Sequence, residues 1–149
     1  MAGQFEATVE IDRPVEEVYA FLAEGTNDPK FSPRVLRIDK SPDGPTAVGT
    51  VFTSTVKDAG MKTQRQFKIT ELEPNRTIRW AEQSTNLVMA VDGGYDIESI
   101  SDTTTRVRIF NVLEGRGIGK LLLGFAVRMA RKDAPAFGNR IKAAIEEAT

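Results

Sequence analysis

A long amphipathic helix closes the chain, and everything before it has to fold against it. After Gly115-Arg116-Gly117-Ile118-Gly119, the residues Leu123, Val127, Ala130, Ala134, Phe137, Ile141 and Ile145 recur at alternating three- and four-residue steps. That spacing lines them up along one side of an α-helix. About 30 residues of helix reach roughly 45 Å, more than a small domain needs merely to end on. Pro135 lies inside this segment. It has no N–H to donate and its ring crowds the preceding turn, which predicts a kink near Arg131 to Pro135 or two abutting helices. Before that point runs a second apolar row, Ile118, Leu122, Phe125 and Met129. A helix lying on a sheet needs one apolar side, so this row calls for a covering loop or helix, the wall of a ligand cavity, or a dimer or membrane contact.

The residues ahead of the helix alternate as strands do. Phe5, Ala7, Val9 and Ile11 interleave with Gln4, Glu6, Thr8 and Glu10, a half-buried strand with its odd positions inward. Asp12 stands where a helix N-cap belongs, followed by Arg13-Pro14 and a short helix with Val15, Val18, Tyr19 and Leu22 on its buried side. The stretch Asn27-Asp28-Pro29-Lys30-Phe31-Ser32-Pro33 reads as turn chemistry with room for one more helical turn. Strands are then expected over Val35 to Lys40, Gly49 to Lys57, Met61 to Leu72, Arg76 to Gln83, Leu87 to Ile100 and Thr105 to Leu113. The short link Asp58-Ala59-Gly60 marks a hairpin, and Gly93-Gly94 marks a bulge. Consecutive strands with short links argue for an antiparallel meander, in an α+β fold.

Composition removes whole classes of chemistry. Without cysteine or histidine the chain makes no disulfide, has no thiol nucleophile, and cannot assemble a Ser-His-Asp or Cys-His arrangement. No carboxylate cluster has metal-ligand spacing, so neither a metal nor a cofactor is expected. A net charge of −1 offers nucleic acid no general attraction, and aromatic and basic residues are not interleaved as in single-strand binders. The glycine-rich 115–119 segment lacks the Gly-Lys-Ser/Thr ending of a phosphate loop. No secretory signal and no long apolar run are present, which predicts a cytoplasmic protein without integral membrane association, a monomer or weak homodimer.

Strand alternation nominates the side chains that face the helix. In the strand from Met61 the odd set carries Arg65, Phe67 and Ile69; in the next, Ile78 and Trp80 bring Glu82 with them. From Leu87 the odd set includes Met89, Val91, Tyr95, Ile97 and Ser99, and in the last strand Ile109 carries Asn111 inward. A bulge reverses these assignments downstream of itself. An ionised group on an apolar face is costly unless paired, so Arg65 and Glu82 either pair with each other near a strand end or serve a ligand. With Ile118, Leu122, Phe125 and Met129 of the helix, these residues would surround a mostly apolar pocket with a few convergent polar groups.

Several segments resemble a known family. Val9-Glu10-Ile11-Asp12-Arg13-Pro14-Val15-Glu16-Glu17-Val18-Tyr19-Ala20-Phe21-Leu22, then Val48-Gly49-Thr50, then Phe67-Lys68-Ile69-Thr70-Glu71-Leu72-Glu73-Pro74-Asn75-Arg76-Thr77-Ile78-Arg79-Trp80, and Thr104-Thr105-Arg106-Val107 follow one another. In that order they look like the START-like superfamily, in its polyketide cyclase/dehydrase-like bacterial branch. The resemblance implies one helix-grip domain over residues 1–149: a seven-stranded curved antiparallel sheet wrapped around the long C-terminal helix, with one or two short helices after the first strand. It also implies a cavity for a lipid, sterol, polyketide or hormone. The resulting expectation is a non-enzymatic protein that binds, transports or sequesters a hydrophobic or amphipathic small molecule. The alternative is a polyketide cyclase, aromatase or dehydratase in which Tyr95 or Glu82 moves protons and Arg65 grips an oxygen.

Overall fold

The computed structural model describes residues 2–58 and 60–148. Met1, Ala59 of the expected hairpin and Thr149 at the end of the expected helix lie outside the described residues. Strand β1 (Ala2–Ile11) is followed by helix α1 (Val15–Ala23) and a 3-10 helix (Gly25–Lys30). Strands β2 (Val35–Ser41), β3 (Val51–Asp58), β4 (Met61–Glu73), β5 (Thr77–Glu82), β6 (Val88–Ser101) and β7 (Thr104–Gly115) come next, and helix α2 (Gly119–Ala148) ends the chain. The seven strands form one sheet in the order β1-β7-β6-β5-β4-β3-β2, every neighbouring pair antiparallel. The meander thus runs from β2 to β7, and β1 closes beside β7.

Helix α2 lies along β1, and small residues allow the approach. A Cβ on Gly3 would stand 2.5 Å from Val127 Cγ2, and Gly138 sits over Ala7 and Val9. Leu123, Val127, Ala134, Ile141 and Ile145 are buried, with Ala130 and Phe137 at the edges of the same side. The helix contacts β1, β7 and β6. It continues through Pro135 as one element, so the two-helix alternative gives way to a single helix. The sharp turn into it is made by Gly117, with a φ of 55°, and by Gly119, where a Cβ would lie 1.9 Å from the Leu87 carbonyl oxygen.

The helix α1 start differs from expectation. Pro14 occupies the N-cap with no side-chain cap, its carbonyl accepting from Glu17 and Val18. Asp12 and Arg13 instead tie the end of β1 to the end of α2: the Asp12 N–H donates to Glu146 Oε2, and Arg13 Nη2 donates to the Glu146 carbonyl. The core beneath α1 joins Ile11, Val18, Leu22, Phe31 and Phe52 to the sheet residues Ile69, Ile78, Ile97, Val107 and Ile109 and to Ile141 and Ile145 of α2.

Candidate functional site: the concave face of the sheet

Register decides which side chains share the concave face, because residues opposite each other across a ladder point the same way. Phe67 faces Glu82, Ile69 faces Trp80, Tyr95 faces Ile109 and Gly93 faces Asn111. The expected inward set of β4, β5 and β7 therefore stands together with Tyr95 and Ile97 of β6. Two bulges alter the rest. One, between Ile69 and Glu71, turns Leu72 inward opposite Ile78. The other falls between Ala90 and Asp92 rather than at Gly93-Gly94. It places Ala90 on the concave face opposite Leu113, and puts Met89 opposite Glu114, on the face of Val112 rather than that of Tyr95. Leu87 precedes the strand and is exposed, and Ser99 is exposed.

The glycines at 93 and 94 answer a need for space. A Cβ on Gly93 would come within 2.2 Å of Asn111 Oδ1 and 2.6 Å of Trp80 Nε1, and one on Gly94 within 2.2 Å of the Ile78 carbonyl oxygen. The room left by Gly93 is filled by a hydrogen bond, Trp80 Nε1 donating to Asn111 Oδ1 over 2.9 Å. The Trp80 ring meets Tyr95 edge-on, with centroids 5.1 Å apart and planes at 72°. Trp80, Tyr95 and Asn111 thus form one cluster, and the Asn111 amide NH2 has no protein acceptor among the described residues.

Arg65 and Glu82 pair with each other at one end of this face. The Glu82 side chain is wholly buried. It accepts from Arg65 Nη1 (3.0 Å), Ser84 Oγ (2.6 Å), Asn86 Nδ2 (2.7 Å) and the Ala90 N–H (2.9 Å). Arg65 Nη1 also donates to the Val88 carbonyl. Strand β5 pairs with β6 only from Thr77 to Trp80, so β5 and β6 part where this network sits. The carboxylate supplies the acceptor that a ladder would otherwise give the Ala90 N–H.

The sequence reading missed Asp28, which lies in the 3-10 helix. Its backbone carbonyl closes that turn by accepting from Phe31 and Ser32, and Phe31 is anchored between Phe21 and Phe137. The residue is half-buried, and its carboxyl has no hydrogen-bond partner among the described residues. Burial pushes its pKa up to about 7. The Tyr95 phenol is pushed well above its ordinary value, first by burial and then by the Asp28 charge, which places the two groups within electrostatic reach. An Asp flanked by Asn27 and Pro29 carries the signature of a surface turn, and no periodicity exposes it as an interior residue.

The second apolar row at the start of α2 is open to solvent. Ile118, Leu122, Phe125 and Met129 are all exposed, because their spacing sets them roughly opposite Leu123 and Val127. A shallow recess of about 420 Å³ elsewhere, lined by Gln4, Phe5, Glu6 and Arg131, is a surface groove between β1 and α2. No group of three or more Asp or Glu residues is placed to hold a metal among the described residues.

A family model described as "Polyketide cyclase / dehydrase and lipid transport" matches residues 2–146. The chain belongs to this family. Its fold recurs in the Zhui aromatase/cyclase from Streptomyces sp. R1128, at 18% identity and a TM-score of 0.80, covering 99% of this chain and 95% of that one. A START superfamily protein from Mycobacterium smegmatis is similar at 14% identity and a TM-score of 0.71, covering 99% of both chains. Norcoclaurine synthase from Thalictrum flavum, solved with dopamine and hydroxybenzaldehyde, is similar at 8% identity and a TM-score of 0.71, covering 100% of this chain and 89% of that one. At these identities the likeness is one of fold, the helix-grip fold of START-like proteins. No curated protein matches the chain by sequence.

Proposed function

We propose that the concave face binds a hydrophobic or amphipathic small molecule, with Trp80, Tyr95, Asn111 and Asp28 meeting its polar end and the inward aliphatic residues of β4 to β7 meeting the rest. The observation that carries this reading is the half-buried state of inward-facing residues. Arg65, Phe67, Trp80, Asn111 and Leu113 all point to the concave side, yet each remains partly open, while α2 is packed along β1. A core that had no guest to admit would close over a tryptophan and a phenylalanine at such positions, since each square ångström of apolar surface removed from water contributes about 25 cal/mol. Asp28, its pKa raised to about 7 by burial, keeps its proton in a large share of molecules near neutral pH and then offers an O–H donor. With the Asn111 amide it suits a carbonyl, hydroxyl or ether oxygen on the guest. Arg65 and Glu82 neutralise each other and shape the wall.

Native mass spectrometry of the protein purified from cells, with organic extraction of whatever it retains, tests the proposal. A retained lipid- or polyketide-like molecule, displaced by anilinonaphthalene sulfonate with a change in Trp80 fluorescence, is the expected result. Protein that comes out empty, and neither binds the dye nor changes its fluorescence, would sink the reading.

One observation favours a second reading, proton-transfer catalysis on a polyketide-like chain. A carboxyl whose pKa lies at about 7, within electrostatic reach of a phenol, meets the demand that an acid–base catalyst titrate near its working pH. Loss of turnover in Tyr95→Phe with ligand affinity retained would separate this reading from simple binding.

A further inference from the structure

The side of α2 turned away from the sheet is apolar where it ought to be polar. Ile118 is 66% exposed, Leu121 84%, Leu122 47%, Phe125 68% and Met129 47%. Leu87, also exposed, is tethered to the same end of the helix by the Arg116 N–H bonded to its carbonyl. Exposed apolar residues scattered singly are ordinary, but four on the first turns of one helix, with Ile118 just before it and Leu87 bonded at its start, form a patch.

Charge says what this patch meets. From Gly115 to Lys132 the chain holds five cations, Arg116, Lys120, Arg128, Arg131 and Lys132, and no carboxylate. Arg131 is engaged with the Gln4 carbonyl, and the other four are exposed. The nearest flanking acids are Glu114, on the other face of the sheet, and Asp133, held by Arg140 at 2.9 Å. Glu82 is enclosed in its own network. A second copy of the chain would bring the same cations against themselves across a two-fold axis, which opposes self-association. The helix is not long and apolar enough to cross a bilayer, but a helix with an apolar stripe edged by cations lies in a membrane interface.

We infer that the outer face of the first half of α2 is a docking surface for an anionic lipid bilayer, with Leu121 and Phe125 entering the acyl boundary and Arg116, Lys120, Arg128 and Lys132 meeting the headgroup phosphates. This inference stands independently of what the concave face binds. Docking depends on both terms, since each Lys or Arg at an anionic surface contributes about fivefold to partitioning and each large apolar side chain about tenfold or more.

Flotation of the full chain with vesicles of phosphatidylcholine alone, or with a quarter of phosphatidylglycerol, tests it. Binding to the anionic vesicles, at least tenfold weaker on the neutral ones and lost as salt rises from about 0.1 to about 0.5 M, is the expected result. Leu121→Asn with Phe125→Asn should reduce binding at least tenfold, and Lys120→Gln with Arg128→Gln about 25-fold, with far-UV circular dichroism and urea midpoint unchanged because all four side chains are exposed. No binding to anionic vesicles, equal binding to neutral ones, or binding unaltered in folded Leu121→Asn/Phe125→Asn overturns the inference. So does a dimer in sedimentation velocity that Phe125→Asn dissolves, which would assign the patch to a second copy.

Discussion

Replacing Asp28 by Asn should flatten part of the pH dependence of stability, and the size of the effect follows from where the carboxyl sits. Its folded-state pKa is pushed up to about 7 from an ordinary 3.8 by burial without a hydrogen-bond partner. Below about pH 4 the group is protonated in both states and costs nothing. Between about pH 4 and pH 7 the unfolded chain releases the proton while the folded one keeps it, so stability falls by about 1.4 kcal/mol per pH unit. Above about pH 7 both states are ionised and the penalty levels off at about 4 kcal/mol, a large share of the 5–15 kcal/mol that a domain has. Asn is nearly isosteric with the neutral acid and cannot ionise. Urea unfolding of both proteins from pH 4.5 to pH 8.5 should show their stability difference widening from about 1 to about 4 kcal/mol in favour of Asp28→Asn, with the other titrating groups cancelling in the difference. Two parallel stability curves would refute the reasoning, since they would mean that the carboxyl reaches water in the folded protein. A bound guest that accepts a hydrogen bond from Asp28 should move the bend in the wild-type curve to higher pH, and a cationic guest should move it lower.

Two further substitutions probe the walls of the concave face. Glu82→Leu should destabilise by about 3–5 kcal/mol in urea unfolding, because it strands the Arg65 guanidinium and the Ala90 N–H, and much of the loss should return in Arg65→Met/Glu82→Leu. Equal losses in the single and double variants would show that the pair does not act as a unit. Gly93→Ala should cost about 1–3 kcal/mol and shift the emission of Trp80, the chain's one tryptophan, since the added methyl must break the Trp80–Asn111 hydrogen bond. An unshifted spectrum would place the strain elsewhere.

Strand alternation was readable wherever a strand ran without interruption. Val107, Ile109 and Asn111 on β7, and Ile78, Trp80 and Glu82 on β5, share the face their spacing implies. The readings that changed lie beside bulges. The bulges at Thr70 and Val91 are set by how neighbouring strands curve past one another, which no single strand encodes. Gly93 and Gly94 carry a strong local signal, but absence of a side chain serves close approach as readily as it serves a bulge, and only the partner strand decides between them. Asp12 illustrates the same ambiguity: its position before Arg13-Pro14 suits a cap, yet the end of α2 lies near enough to take its backbone N–H, and the helix starts without it.

The candidate site divides along the same line. Its apolar wall and the Trp80–Tyr95–Asn111 cluster come from residues whose inward direction is a matter of period, and such residues can be found by counting. Asp28 cannot, because its burial depends on the docking of a short 3-10 helix through the adjoining Phe31 onto Phe21 and onto Phe137, a residue far away in sequence. The α2 rows show the opposite case. Two apolar sides on one helix were plain from spacing, but period alone assigns no destination to the second. That is fixed by β1, where Gly3 and Ala7 admit the Val127 and Gly138 side of α2 and so turn Phe125 outward. A larger residue at position 3 would push Val127 off the sheet, and the choice of which apolar row the protein keeps for itself therefore rests as much on small residues in the first strand as on large ones in the last helix.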